Sequence, residues 1–291
     1  MKGTLQNMAD AILYGLLFLI SLFPMKLLYG ITDVLGVAMY RIVGYRRNVV
    51  VQNIVRAFPE MNYEQIECVA GKFYSCFTSY FAEIEKNISI HPKKLRRKLT
   101  FENTALIDWH INNNRNVILC MGHCGNWEML NFMPVVLKHD TYAIYKQLQS
   151  SMFDRIMVRI RSRFGLKLIR DKSVARHIMS TDNKPGVYMF LADQRPRYKN
   201  MKYRYDLLGQ TTFFHSGMER LARISHSAIV YVNIAQKSKG HYHATFINIC
   251  DDASLSKEGE PTKQYANLLT SNIKEEPYGW LWSHKRWKSM Q

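Results

Sequence analysis

The chain has 291 residues, 47% of them apolar and 12% aromatic, with 15 Gly and 8 Pro, which excludes disorder, a collagen-like sequence and a disulfide mini-protein. At roughly 150 residues per domain this length admits one or two domains and a large core. Forty Lys and Arg against 23 Asp and Glu leave a net charge of +17, an excess that calls for an anionic partner such as nucleic acid, an anionic membrane or an acidic carrier.

From the N-terminus, fifteen uncharged residues separate Asp10 from Lys26, and two more apolar runs follow over residues 27–32 and 34–40. Fifteen helical residues reach about 23 Å, short of the roughly 30 Å hydrocarbon core, and no small-residue cleavage site follows Met25. Residues 1–44 are therefore expected to form an uncleaved hydrophobic anchor that enters one leaflet or spans with help from its flanks. The alternative is a buried helical hairpin. Arg41, Arg46 and Arg47, standing between the apolar runs and the polar body, favour the membrane. Residues 1–44 carry three basic and two acidic side chains, so +16 of the charge belongs to residues 45–291. It is densest over Lys93–Lys98 and again over 284–288, where polybasic segments would add about 1 kcal/mol per side chain at an anionic lipid surface.

A helix is expected from Tyr63 to about Asn87. Residues 116–121 read as a short buried strand, and Gly122–Leu137 as a loop running into a helix. Strands follow at 141–145, 186–192, 228–235 and 242–249, with helices at 153–164, 216–224 and 263–274 and a polar surface loop at 251–261. Strand-then-helix alternation predicts an α/β fold with a central mixed, mostly parallel sheet flanked by helices. Five cysteines, Cys68, Cys76, Cys120, Cys124 and Cys250, have no repeating frame and fit reduced thiols facing a cytoplasm. Cys120, His123 and Cys124 lack a second ligand pair at zinc spacing, so no metal is expected.

The segment Gly122-His123-Cys124-Gly125-Asn126-Trp127-Glu128 follows a strand and opens a helix, where active-site groups of open α/β sheets collect. A carboxylate five residues beyond a histidine can bend back to accept its Nδ1 proton and leave Nε2 as a base. Equally, His123 can cap the turn while Glu128 sits near a helix N-terminus because the dipole favours it. Spacing alone does not separate the two readings.

HCGNWE resembles the His-x4-Asp/Glu motif of glycerolipid acyltransferases, in the form seen in the late acyltransferases of bacterial lipid A biosynthesis. Other blocks extend the resemblance in the family's order from about residue 46 to 288. They are Arg46-Arg47-Asn48 with Asn53 and Ala57-Phe58-Pro59-Glu60, then Ala192-Asp193-Gln194, Gly217-Met218-Glu219-Arg220-Leu221-Ala222-Arg223, and the ending from Trp280 to Lys288. The resemblance implies a glycerolipid acyltransferase-like domain over 45–291. It also implies transfer of a fatty acyl chain from acyl carrier protein or acyl-CoA to a hydroxyl of a glycolipid precursor, at the inner membrane with the active site facing the cytoplasm. Another acceptor, such as a lysophospholipid or an aminolipid, is the runner-up. No cofactor is required. A nucleic-acid partner would explain the charge, but no established binding module is found and the apolar first forty residues would have no role.

On this reading His123 is the general base and Glu128 holds its imidazole, with backbone N–H groups near Gly125 and Asn126, or an arginine, as donors to the oxyanion. Cys124 is the rival nucleophile, a thiol beside a histidine at a helix start, where the family usually carries a non-nucleophilic residue. Asp193 is expected to position the acceptor or an arginine, or else to be a salt-bridged turn residue. The family places a functional arginine before a glycine, here Gly165, which makes Arg163 the first candidate and Arg161 the second. Phe132 and Met133 either line an acyl tunnel or pack the core. Trp280, Trp282 and Trp287 either rest at the lipid interface or cover the sheet.

Overall fold

The computed structural model describes residues 2–180, 184–196 and 201–287, with residues 2–7 as helix backbone only, so Lys288 of the terminal basic cluster lies outside the described residues. Two helices, α1 (Lys2–Ser21) and α2 (Met25–Val37), open the chain, and a π-helical turn at Ala38–Ile42 prolongs α2. Next come α3 (Arg47–Ala57) and the long α4 (Tyr63–Lys86). A capping box starts α4: Gln65 N–H donates to Asn62 Oδ1 and Asn62 N–H to Gln65 Oε1, each at 2.9 Å.

A one-turn α5 (Pro92–Leu95) leads into the alternating part: β1 (Leu99–Glu102), α6 (Thr104–Asn112), β2 (Val117–Met121), a 3-10 turn (Trp127–Phe132) and α7 (Met133–Leu137). Then follow β3 (Thr141–Tyr145), α8 (Ser151–Ser162), β4 (Lys167–Arg170), α9 (Val174–Ile178) and β5 (Val187–Leu191). The hairpin β6 (Met201–Leu207) and β7 (Gln210–His215) precedes α10 (Gly217–Ile224), β8 (Ala228–Ser238), β9 (His241–Cys250) and α11 (Glu260–Glu275).

Seven strands form one sheet in the order β1-β9-β8-β2-β5-β3-β4; every neighbouring pair is parallel except β8–β9. This is the expected mixed, mostly parallel α/β sheet. β2, the run VILCM, is buried along its whole length, as a strand covered on both faces must be. Its side chains alternate between two cores. Ile118 and Cys120 join α3, α4 and α11 residues on one face, while Val117, Leu119 and Met121 join Leu130 and Phe132 on the other.

Three of the sequence blocks are gathered by the C-terminal segment. Asn53 Nδ2 donates to Trp282 O (2.8 Å) and His284 O (2.9 Å), and Arg46 Nη1 to Ser283 O (3.0 Å), so α3 clamps the tail across the carboxyl edge of the sheet. Glu219 on α10 is fully buried because it works as a distant cap for α11, accepting from Gly259 N–H (2.6 Å), Thr262 N–H (3.1 Å) and the Thr262 hydroxyl. Trp280 and Trp282 are buried, not interfacial, and Phe132 and Met133 pack the core, where Phe132 meets the Phe164 ring edge-on at 5.4 Å.

Among the described residues, no single helix is long and apolar enough to cross a membrane; residues 8–21 and 25–42 form an apolar pair bent by 107°. Both helices are tied to the body. Lys86 Nζ donates to Ser21 O (2.7 Å) and the Tyr29 hydroxyl to Glu83 Oε1 (2.9 Å). Their outward faces remain apolar and exposed.

Candidate active site

β2 and β5 are adjacent and parallel, and their register pairs Met121 with Leu191. Two residues past each strand end stand His123 and Asp193, so the same register that builds the sheet brings them side by side. His123 Nδ1 lies 2.5 Å from Asp193 Oδ1, and Asp193 Oδ2 accepts the His123 backbone N–H (2.9 Å) and the Trp280 indole N–H (2.8 Å). Asp193 is 2% exposed. Burial alone would raise its carboxyl, but the His123 charge and these bonds outweigh that and hold it well below the ordinary carboxylate range. With the Nδ1 proton committed to Asp193, Nε2 is the free ring nitrogen. The Gln194 amide stands 3.3 Å from it, and the Trp127 indole packs edge-on against the ring at 4.7 Å.

His123 lines a cavity of about 380 Å³ at the carboxyl ends of β2, β3 and β5. Glu128, Asn131, Arg161 and Gln194 give it a polar side, and Met121, Trp127, Leu168, Met189 and Leu191 an apolar one. A polar mouth around the imidazole and an apolar wall beside it suit a molecule with a polar group and a hydrocarbon chain.

The partner foreseen for His123 is corrected. Glu128 does not bend back to the imidazole. It lies on the 3-10 turn and faces α8, where Arg161 grips it with both Nε (to Oε2, 2.9 Å) and Nη2 (to Oε1), and the Asn131 amide donates to Oε2 at 3.3 Å. Sequence separation hid the true neighbour, because Asp193 is seventy residues away along the chain but one strand away in the sheet. Asp193 accordingly bonds His123 and Trp280, and among the described residues it makes no hydrogen bond to an arginine.

Arg161 lines the cavity and Arg163 does not. Arg163 ends α8 and donates to Asn87 O (2.6 Å) and Ile90 O (2.8 Å), fastening α8 to the end of α4. Gly125 and Asn126 lie behind the cavity. The Gly125 N–H donates to Gly279 O (2.9 Å), which removes it as an oxyanion donor. The Asn126 side chain donates to Glu83 Oε2 (2.6 Å) and accepts from Glu128 N–H (3.2 Å). Burial pushes the Cys124 thiol well above its usual range, the opposite of a poised thiolate. Among the described residues, no three His, Cys, Asp or Glu side chains are placed to hold a metal ion.

Sequence reasoning gave no role at the site to Glu83, Gln194 or Trp280. Glu83 accepts from Asn126, from the Tyr29 hydroxyl and from the Tyr242 hydroxyl (2.8 Å), and so joins α2, α4, β9 and the histidine loop. Nothing in the pattern of α4 marks it. Gln194 and Trp280 stand inside two of the resemblance blocks, which were the available signal for them.

A strand-end histidine is held by a buried aspartate and faces a half-apolar cavity in an α/β fold. The bacterial lipid A biosynthesis acyltransferase family matches residues 4–289, nearly the whole chain, and the protein belongs to that family: it is an acyl-transferring enzyme. No curated protein matches the sequence.

Proposed function

We propose that the enzyme transfers a fatty acyl chain from acyl carrier protein or acyl-CoA to a hydroxyl of a lipid A precursor, with His123 as general base. The observation that carries the residue assignment is the 2.5 Å contact between His123 Nδ1 and Asp193, which leaves Nε2 at the cavity. His123 Nε2 takes the acceptor hydroxyl proton as that oxygen attacks the thioester carbonyl carbon. Asp193 fixes the tautomer and stabilises the imidazolium. The C–S bond then breaks and the departing thiolate takes the proton back from Nε2. The Gln194 amide, 3.3 Å from Nε2, is placed beside the reacting atoms and would donate to the oxyanion that forms on the carbonyl. Arg161, neutralised by Glu128, shapes the polar mouth rather than meeting an anion alone.

In this proposal residues 1–44 seat the acyltransferase domain, 45–291, on the inner membrane with the cavity on its cytoplasmic side. The exposed apolar faces of α1 and α2 support that seating, and the +17 charge suits an anionic surface, an acidic carrier and a phosphorylated acceptor alike. Mass spectrometry of lipid extracts from cells lacking the gene, complemented with wild type or His123→Ala, tests the reading. Loss of one acyl chain from lipid A, restored by wild type alone, is expected. Intact lipid A beside another altered lipid would overturn the acceptor, and full rescue by His123→Ala would overturn the base.

A further inference from the structure

A second cavity, of about 150 Å³, lies between α3, the β6–β7 hairpin and the C-terminal segment, away from His123. It is smaller than the roughly 300–1,000 Å³ of a whole small-molecule site, so it takes a group and not a complete substrate. Arg56, Arg195 and Arg286 converge on it, and none of its lining residues is acidic. Thr211 and Thr212 add hydroxyls to the wall, but the Trp287 indole already occupies Thr212 Oγ1 at 2.8 Å.

Arg286 makes this more than a basic patch. It is 3% exposed, donates from Nη2 to Phe213 O (2.6 Å) and packs over the Phe214 ring, and its Nε is buried without a hydrogen-bond partner among the described residues. A buried guanidinium with an unmet donor costs free energy unless something else answers it. Its nearby carboxylate, Asp193, is already engaged by His123 and Trp280, and Arg195 adds like charge. The cavity beside Arg41 and Arg47 is different: Glu67 sits in its wall and pairs with Arg47 at 2.8 Å. Of these two cavities, the smaller one concentrates guanidinium groups with no counter-charge among the described residues of its wall.

We propose that the cavity bounded by Arg56, Arg195 and Arg286 is a phosphate-ester site that anchors one substrate while its reacting group occupies the His123 cavity. Arginine forks match phosphate oxygens, and a dianion would satisfy the buried donor and the mutual repulsion together. Arg195 lies two residues beyond Asp193, and its backbone N–H donates to His284 Nε2 (3.2 Å), so occupancy bears on the segment that holds the base. The role in substrate binding rests on the acyl-transfer reading; binding of phosphate itself does not.

Titration calorimetry with inorganic phosphate, on the full chain in neutral detergent micelles at constant ionic strength, tests binding without turnover and so stands apart from the acyl-transfer reading. Saturable binding to wild type, weakened about tenfold in both Arg195→Gln and the more exposed Arg56→Gln with unfolding transitions unchanged, is expected. Unsaturable uptake, or equal binding by all three proteins, overturns the site. Transfer kinetics then distinguish the source of the phosphate. A KM that rises about tenfold in the variants only for a phosphorylated acceptor assigns the site to the acceptor, and a rise only for acyl-phosphopantetheine over acyl-pantetheine assigns it to the donor arm. A variant effect indifferent to phosphate on either substrate overturns the anchoring role.

Discussion

At the scale of single residues, the two carboxylates near His123 have different partners, and substitution separates them. Asp193→Asn would leave the ring in place with the wrong tautomer, and kcat should fall by about 10³–10⁴-fold with little change in KM, measured in steady-state transfer assays. Glu128→Gln removes the partner of a largely buried guanidinium; it should cost about 2–4 kcal/mol of unfolding free energy in denaturant titrations, with a smaller loss of kcat than Asp193→Asn. Equal kcat losses would return Glu128 to the base. Glu85 gives a pH dependence. Burial raises its carboxyl from 4.5 to about 7, and its Oε1 has no hydrogen-bond partner among the described residues. The folded chain thus holds a proton there that the unfolded chain releases, so this contribution to stability is full below about pH 4.5 and is lost as pH rises to about 7. Glu85→Gln should therefore stabilise by about 1–3 kcal/mol at pH 8 and by nothing at pH 4 in urea unfolding. His123 itself was legible because its whole motif is contiguous. Its partner was not, because helical spacing points only to residues nearby in sequence.

Among elements, the clamp between α3 and the C-terminal segment decides how firmly Trp280 holds Asp193. Asn53→Ala removes two bonds to buried or half-buried carbonyls at Trp282 and His284 and should cost about 1–3 kcal/mol together with part of kcat, although Asn53 never meets substrate. Unchanged kcat in a destabilised variant would show that the clamp is purely structural. Gly125 has φ +55°, and an added Cβ would lie 3.0 Å from Ile234 Cγ2. The left-handed backbone there is what carries the chain from β2 into the 3-10 turn. The helices α4, α8, α10 and α11 and the strands β2, β3, β5, β8 and β9 are visible as periodicity or as short apolar runs. The four-residue β1 and β4 are too short to carry a period. The β6–β7 hairpin was passed over although Met201, Tyr203, Tyr205 and Leu207 alternate with polar residues before a glycine turn.

For the whole molecule, an apolar end and a basic body act together. Ile12, Leu16 and Leu19 on α1 are 62%, 54% and 60% exposed, far more than a buried hairpin would leave. Replacing all three with Gln should lower binding to anionic phospholipid vesicles more than about tenfold in co-sedimentation, with cavity and fold unchanged. Raised salt should weaken binding further by screening the basic body. Retained binding in the triple variant would move the membrane contact elsewhere. Tyr29 on α2, through Glu83 and Asn126, connects that same N-terminal pair to the histidine loop, so the apolar N-terminal pair and the loop carrying His123 share one hydrogen-bond network.

The sequence by itself determined the α/β class, the strands of the sheet's centre, the apolar N-terminus and the contiguous motif with its histidine, because each is written in local periodicity or in neighbouring residues. Only the tertiary structure decided that Asp193 and not Glu128 holds His123, that Arg161 and not Arg163 faces the cavity, and that Arg56, Arg195 and Arg286 meet. Those pairings are set by strand register, by the angle at which α8 packs, and by a chain end folding back across the sheet, which bring together residues that no spacing along the chain connects.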